Sequence, residues 1–322
     1  MSWRFNASDK TALAQSITTT TELPLQYTCK DDGTIAFGEF FLQNSVWGSP
    51  SQEHTQCIAV YPSGAMGWSW HKPSQSRMPH WPSVIYGKHP ISITQGFSST
   101  RNLPVGLGLV KSIEVSLDAS VKATGSYNFV FDIWITNSLS CTRDSVTHEV
   151  MVWFLWTPGL DPKNDLGTVN DGYNTYQLSS FEPDIQIEFP HYRFSIAKQG
   201  IPSRINLTAL LDYLTSKGEQ LGYLAAIMLG NEVFYGYGQT TVRVFDVKIL
   251  LEGATITETI PYTFLAGILF VVGVMVVGVF YMRERAHKLE TGDKGVQAKW
   301  SVPVGLARCP LTVPILKWSR AQ

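Results

Sequence analysis

Phe129-Val130-Phe131-Asp132-Ile133-Trp134-Ile135 and His148-Glu149-Val150-Met151-Val152-Trp153-Phe154 are the two stretches that decide the fold. Read as strands, both alternate, because successive side chains of an extended chain point to opposite faces. Phe129, Phe131, Ile133 and Ile135 share one face, as do Val150, Val152 and Phe154. Those faces are plain core. The opposite faces carry Asp132 and Trp134 in the first strand and Glu149, Met151 and Trp153 in the second. Carboxylate, thioether and indole in a row make a poor surface to offer to water and a sensible lining for a cleft.

Outward from these stretches the same pattern repeats. Short strands are expected at Ile35–Leu42, Gln56–Tyr61, Ile113–Leu117, Tyr127–Thr136, His148–Trp156, Tyr173–Leu178, Ile185–Pro190, Tyr192–Ala197, Gly222–Leu229 and Thr241–Leu250. Gly, Pro, Ser and Asn separate them, which reads as an all-β sandwich or jelly roll over residues 25–250. One helix interrupts the series. In Asn206–Lys217, Leu207, Leu210, Leu211 and Leu214 recur at helical spacing, with Asn206 placed to cap the start and Gly218 to end it. Such a helix is expected to cover part of a sheet's outer face.

Composition supports this reading. Charged residues are sparse at 16%, while Trp (10), Tyr (13) and Phe (16) are plentiful, as β-structure favours. The 25 basic and 26 acidic residues nearly balance, so no nucleic-acid partner is implied. No Cys or His spacing points to a metal, and no cofactor is required.

The segment Tyr262–Met282 carries no charge. As a helix of 21 residues it would reach about 31 Å, the thickness of a bilayer's hydrocarbon core. Arg283, Arg285, His287 and Lys288 follow it, whereas Glu252 and Glu258 precede it. The excess of basic charge places the 283–322 tail in the cytoplasm and the β-domain outside, with 251–261 as linker and 1–24 as an N-terminal extension. The first fifteen residues hold no apolar run of signal-peptide length, so no signal peptide is read there. An outward-facing domain permits disulfides, and Cys29 and Cys57 both lie in its N-terminal part. Cys141 sits in a polar loop and Cys309 in the tail, so these two are not expected to pair.

A second carboxylate joins the first. Glu232, in Leu229-Gly230-Asn231-Glu232-Val233-Phe234, follows an apolar stretch in which Ala226, Met228 and Gly230 would share its side and leave space above the sheet. Two carboxyls on one open face suit glycoside hydrolysis, where one attacks or stabilises the anomeric carbon and the other protonates the leaving oxygen.

Four ordered stretches resemble glycoside hydrolase family 12. Asn44-Ser45-Val46-Trp47-Gly48 is similar to the family's Asn-x-x-Trp-Gly segment, and Gly67-Trp68-Ser69-Trp70 to its next strand. Glu149-Val150-Met151-Val152-Trp153 resembles the nucleophile motif in full. Gly230-Asn231-Glu232-Val233-Phe234 resembles the acid/base segment, departing from it at Asn231 and Val233. The resemblance implies a jelly roll and a retaining endo-β-1,4-glucanase acting on cellulose, mixed-linkage glucan or xyloglucan. Glu149 would be nucleophile, Glu232 acid/base with a pKa well above that of Glu149, and Asp132 a hydrogen-bond partner of Glu149. Cys29 and Cys57 stand where the family's disulfide is found. Asn44, Trp47, Met151 and Trp153 would meet the sugar, with Trp68, Trp70 and Trp134 as weaker platforms. The competing reading is a membrane-anchored β-glucan-binding lectin on the same scaffold; it would not need both Glu149 and Glu232.

Overall fold

A computed structural model describes residues 22–46, 54–75, 78–91, 98–163, 165–181 and 189–252. In chain order the strands begin with β1 (Gln26–Thr28), β2 (Thr34–Phe37), β3 (Phe40–Val46), β4 (Thr55–Val60) and β5 (Met66–Lys72). Next come β6 (His80–Gly87), β7 (Val105–Gly106), β8 (Val110–Thr136), β9 (Val146–Trp156) and β10 (Asp165–Asn170). β11 (Thr175–Phe181), β12 (His191–Ile196) and β13 (Arg204–Asn206) lead into the helix α1 (Leu207–Ser216), which β14 (Tyr223–Gly230) and β15 (Val233–Leu251) follow.

The strands form the two layers of a jelly-roll-like sandwich. One layer runs β1-β4-β5-β15 and continues into residues 110–127 of β8, with β13 beyond. The other runs β2-β3-β6-β14, then residues 130–136 of β8, then β9-β12-β11-β10. β9 and β12 pair in parallel, unlike their neighbours. β8 therefore belongs to both layers. Its passage from one to the other lies next to Gly125, which faces Gly236 across the ladder. Both glycines have positive φ, 98° and 110°. A Cβ on Gly125 would sit 2.3 Å from the Tyr235 carbonyl oxygen, and one on Gly236 2.1 Å from that of Thr124. Only residues without a side chain let the two backbones approach this closely while bending.

Between the layers lies the main core. Trp68, Trp70, Ile58 and Phe245 of one layer meet Phe131, Ile133, Val150, Val152 and Phe154 of the other. Phe245 stacks on Phe131 with centroids 5.7 Å apart. Burying each such side chain stabilises the fold by roughly 1.5–3 kcal/mol before entropy is counted. The alternation in 129–135 and 149–154 thus sorts these residues as expected.

Other elements depart from the sequence reading. Ile113–Leu117 and Tyr127–Thr136 merge into β8, and Ile35–Leu42 is a hairpin that turns at Gly38 rather than one strand. β5 is expected only through the resemblance at Gly67–Trp70, and β6 is not expected because it is buried on both faces and shows no apolar–polar alternation. In α1, Asn206 caps the start by accepting from the Ala209 amide at 3.3 Å. Its four leucines enter the main core and do not lie on an outer face of a sheet. Trp47, Cys309, the expected span Tyr262–Met282 and the tail lie outside the described residues. No helix among the described residues is long and apolar enough to cross a membrane.

Cys29 and Cys57 are bonded across a separation of 28 residues. A loop of that size lowers the entropy of the unfolded chain, by the loop-closure model, enough to contribute about 3 kcal/mol. The Cys29→Ala/Cys57→Ala double variant is therefore expected to lose about 3 kcal/mol in denaturant titration, with its strand content by circular dichroism intact.

Candidate active site

Side chains paired directly across a ladder project to the same side, and register alone assembles the site. Asp132 on β8 pairs with Met151 on β9 and Met228 on β14, while Trp134 pairs with Glu149 and Ala226. On the far side of β9, His191 and Arg193 of β12 stand opposite Glu149 and Met151. All face away from the main core. Beneath them Trp81, Val130, Trp134, Met151, Trp153 and Met228 form a second apolar cluster, the floor of the site.

Asp132 and Glu149 act on each other's ionisation, and Asp132 accepts from the Trp134 indole at 3.0 Å. Burial is the first cause that raises the pKa of both carboxyls. For Asp132 the charge of Glu232 adds to this, and the value rises to about 8. Glu149 is pushed well above the usual carboxylate range by burial, then by the charges of Asp132 and Glu232. Two carboxyls so placed hold one proton between them. His191 Nε2 approaches Glu149 Oε2 to 3.1 Å, a contact that favours the carboxylate if the imidazole carries a proton there.

Glu232 occupies the turn between β14 and β15, and Asn128 holds it on three sides. The Asn128 amide group donates to Glu232 Oε2, its Oδ1 accepts from the Glu232 backbone N–H at 2.9 Å, and its own N–H donates to the Glu232 carbonyl at 3.1 Å. Burial raises the pKa of Glu232, while the Asn128 hydrogen bond and the charge of Arg193 pull it back. The like charges fall on Glu149, and the groups that favour ionisation surround Glu232.

Next to Glu232, Asn231 explains the departure noted in the sequence. Its Oδ1 accepts from Trp68 Nε1 at 2.7 Å and Thr240 Oγ1 at 2.6 Å, and its amide donates to the Asn128 carbonyl. The Lys72 ammonium donates to the Val233 carbonyl at 3.1 Å, steadying the same turn. Burial lowers the Lys72 pKa to about 8.

The structure divides the sequence candidates. Asp132, Glu149, Met151, Trp134 and Trp153 share the site face, and Glu232 stands over its end. Trp68 and Trp70, 0% and 1% exposed, belong to the main core, so neither presents a ring to a sugar. Asn44 is likewise buried, its amide donating to the Lys30 and Gln56 carbonyls, and acts as a structural tie. Trp134 is hemmed in by His89 at 5.1 Å and Phe189 at 5.8 Å, so it orients Asp132 and offers no open platform. Trp153 is 4% exposed, and one face of its ring is covered by Arg193. The space expected above Gly230 is filled, since a Cβ there would lie 2.9 Å from Ser83 Cβ and 3.1 Å from the Trp81 ring. Sequence reasoning missed Asn128, His191 and Arg193. Alternation within β8 and β12 carried a usable signal, because Asn128 shares parity with Asp132, and His191 and Arg193 alternate with the core residues Phe194 and Ile196.

A jelly-roll-like sandwich that gathers buried Asp132 and half-buried Glu149 and Glu232 on one face has the architecture of a glycoside hydrolase. Residues 38–250 match the model of glycosyl hydrolase family 12, and the chain belongs to that family. Endoglucanase S of Pectobacterium parmentieri is 28% identical over 229 residues, covering 68% of this chain and 86% of that protein. Among solved structures, the native family 12 xyloglucanase from Bacillus licheniformis superposes with a TM-score of 0.63 at 23% identity, covering 70% of this chain and 100% of that one. Endoglucanase Cel12A from Rhodothermus marinus gives 0.59 at 20% identity, covering 70% and 99%.

Two outcomes are expected from this geometry. Between 3.8 and about 8, folded Asp132 holds its proton and the unfolded residue does not. Stability should fall as pH rises through that window, and Asp132→Asn should flatten the decline of melting temperature with pH. Asn128→Ala frees the carboxylate of Glu232, so kcat should fall by about 100-fold while KM changes little, as steady-state kinetics will show.

Proposed function

We propose that this chain is an endo-acting β-1,4-glucanase that hydrolyses β-glucan with retention of anomeric configuration. The observation that carries the reading is the trio of carboxyls whose charges act on one another: buried Asp132, with Glu149 and Glu232 half-buried and Glu232 held by Asn128. Family membership supports it, as do the endoglucanase and xyloglucanase activities named for relatives.

In this reading Glu149 attacks the anomeric carbon. Asp132 keeps the proton that the pair shares, which leaves Glu149 ionised, and His191 favours that charge if its imidazole is protonated. Glu232, its pKa raised by burial, gives its proton to the departing glucosyl oxygen. It then takes one from the water that opens the glycosyl-enzyme ester. Met151 and Trp153 form the floor beneath the reacting ring. Cellulose, mixed-linkage glucan and xyloglucan all supply the required β-1,4 bond. The charge-free stretch Tyr262–Met282 and the basic residues after it support a single-pass tether with this domain outside the membrane.

Glu149→Gln and Glu232→Gln are each expected to lower the release of reducing ends from β-glucan by at least about 1,000-fold, with binding retained. The two should differ on aryl glycosides whose leaving group needs no proton: Glu232→Gln keeps slow turnover and Glu149→Gln has none. Wild-type protein that binds glucan and frees no reducing ends at any pH would establish the lectin reading instead.

A further inference from the structure

Glu149 stands on the first rung of its ladder. In the parallel pairing of β9 with β12, the register opens at His191–Glu149 and runs on to Ser195–Trp153. The Glu149 amide donates to the Pro190 carbonyl at 3.1 Å, and Pro190 has no N–H with which to carry the ladder a rung further. Ends of elements open first, so the carboxyl that needs the closest placement sits where the sheet is least able to hold it. The pair is nonetheless tight, with His191 Nε2 3.1 Å from Glu149 Oε2.

The open end is closed from α1. Gly218 follows the helix at φ 103°. Its N–H donates to the Thr215 carbonyl at 3.0 Å, and the Glu219 N–H donates to the Leu214 carbonyl at 3.2 Å. These two bonds form a Schellman turn, which fixes the direction in which Glu219 leaves the helix. Leu207, Leu210, Leu211 and Leu214 anchor α1 itself in the main core.

The half-buried Glu219 carboxyl then takes one strand on each oxygen. Tyr192 of β12 donates its hydroxyl to Oε1, and His148 Nε2 of β9 lies 3.0 Å from Oε2. The two rings stack with centroids 6.4 Å apart. The Tyr192 hydrogen bond holds the Glu219 carboxyl below its usual range, so it stays an ionised acceptor. Burial and the same bond raise the Tyr192 pKa to about 12, so the hydroxyl stays a donor. His148 immediately precedes Glu149, and Tyr192 immediately follows His191. Alternation turns the clamped pair to the core side of the sheet and the reacting pair to the site side.

We propose that Glu219 is a positioning residue for glycoside hydrolysis: by bridging His148 and Tyr192 on the core side it closes the open end of the β9–β12 ladder and keeps Glu149 against His191 on the site side. This rests on the assignment of Glu149 as nucleophile. Bridging is the variable, and two substitutions isolate it. Glu219→Ala removes both arms. Glu219→Gln keeps them: its carbonyl accepts from Tyr192 and its amide donates to His148 Nε2, while the other ring nitrogen donates to Thr147 Oγ1, 3.0 Å away.

The test is steady-state kinetics of the full chain on mixed-linkage β-glucan, with nitrogen NMR of the His191 imidazole as a readout that needs no activity. Glu219→Ala should lower kcat by about 30-fold, as misplacement by under about 1 Å does, with KM within about twofold. Glu219→Gln should stay within about threefold of wild type in both. On a His191→Ala background, Glu219→Ala should cost less than about threefold, because the two residues act through one contact. The His191 Nε2 resonance should move in the Ala variant and hold its place in the Gln variant. Tyr192→Phe, which opens a single arm, replaces Glu219→Ala if the latter loses its melting transition. Unchanged kcat in the Ala variant, equal losses on both backgrounds, an unmoved resonance or a Gln variant as slow as Ala each overturns the proposal. If the resonances behave as expected but wild type frees no reducing ends at any pH, the glucanase reading fails and the role of Glu219 in placing Glu149 stands.

Discussion

The side-chain amide of Asn231 joins the two layers at the point where the chemistry is placed. Trp68 and Thr240 reach it from one layer and Asn128 from the other, and the next residue along the chain is Glu232. Deleting that amide would leave a buried indole N–H, a hydroxyl and a carbonyl without their partner, at about 1–3 kcal/mol each. The glycine pair Gly125 and Gly236 bends β8 and β15 close by, so that Asn128 can meet the turn at all. Rigidity at Glu232 is thus a property of the sandwich, supplied from beneath by core residues that never touch the site face.

Electrostatics complete what this scaffold begins. Three carboxyls in one cluster oppose each other's ionisation, and the outcome depends on which neighbours each one has. Asp132 and Glu149 are given each other, which confines a proton between them. Glu232 is given Asn128 and Arg193, which make its ionised form accessible. The floor of Trp81, Trp134, Met151 and Trp153 lowers the local dielectric and sharpens these differences. Aromatic residues here act mainly on charge, by orienting Asp132 and by holding Arg193, and less as open platforms.

Much of this was readable from residue order. Period-two alternation in 129–135 and 148–154 separated core from site because one face of each strand is buried in the main core and the other is not. It failed for β6, where both faces are buried and apolar and polar residues do not alternate. Trp68 and Trp70 were ambiguous because an indole in a strand reads alike whether it stacks on a sugar or on another layer.

The sequence by itself determined the class of fold, the motif around Glu149 and the presence of Glu232, and the pairing of Cys29 with Cys57 was implied by the family resemblance alone. These follow from local periodicity and from short motifs, which need no knowledge of distant neighbours. Tertiary structure alone decided that Asn128 clamps Glu232, that Asn231 ties two layers together and that Arg193 lies over Trp153. Each of these depends on the company a residue keeps across strands far apart in the chain, and a pKa belongs to that company more than to the residue.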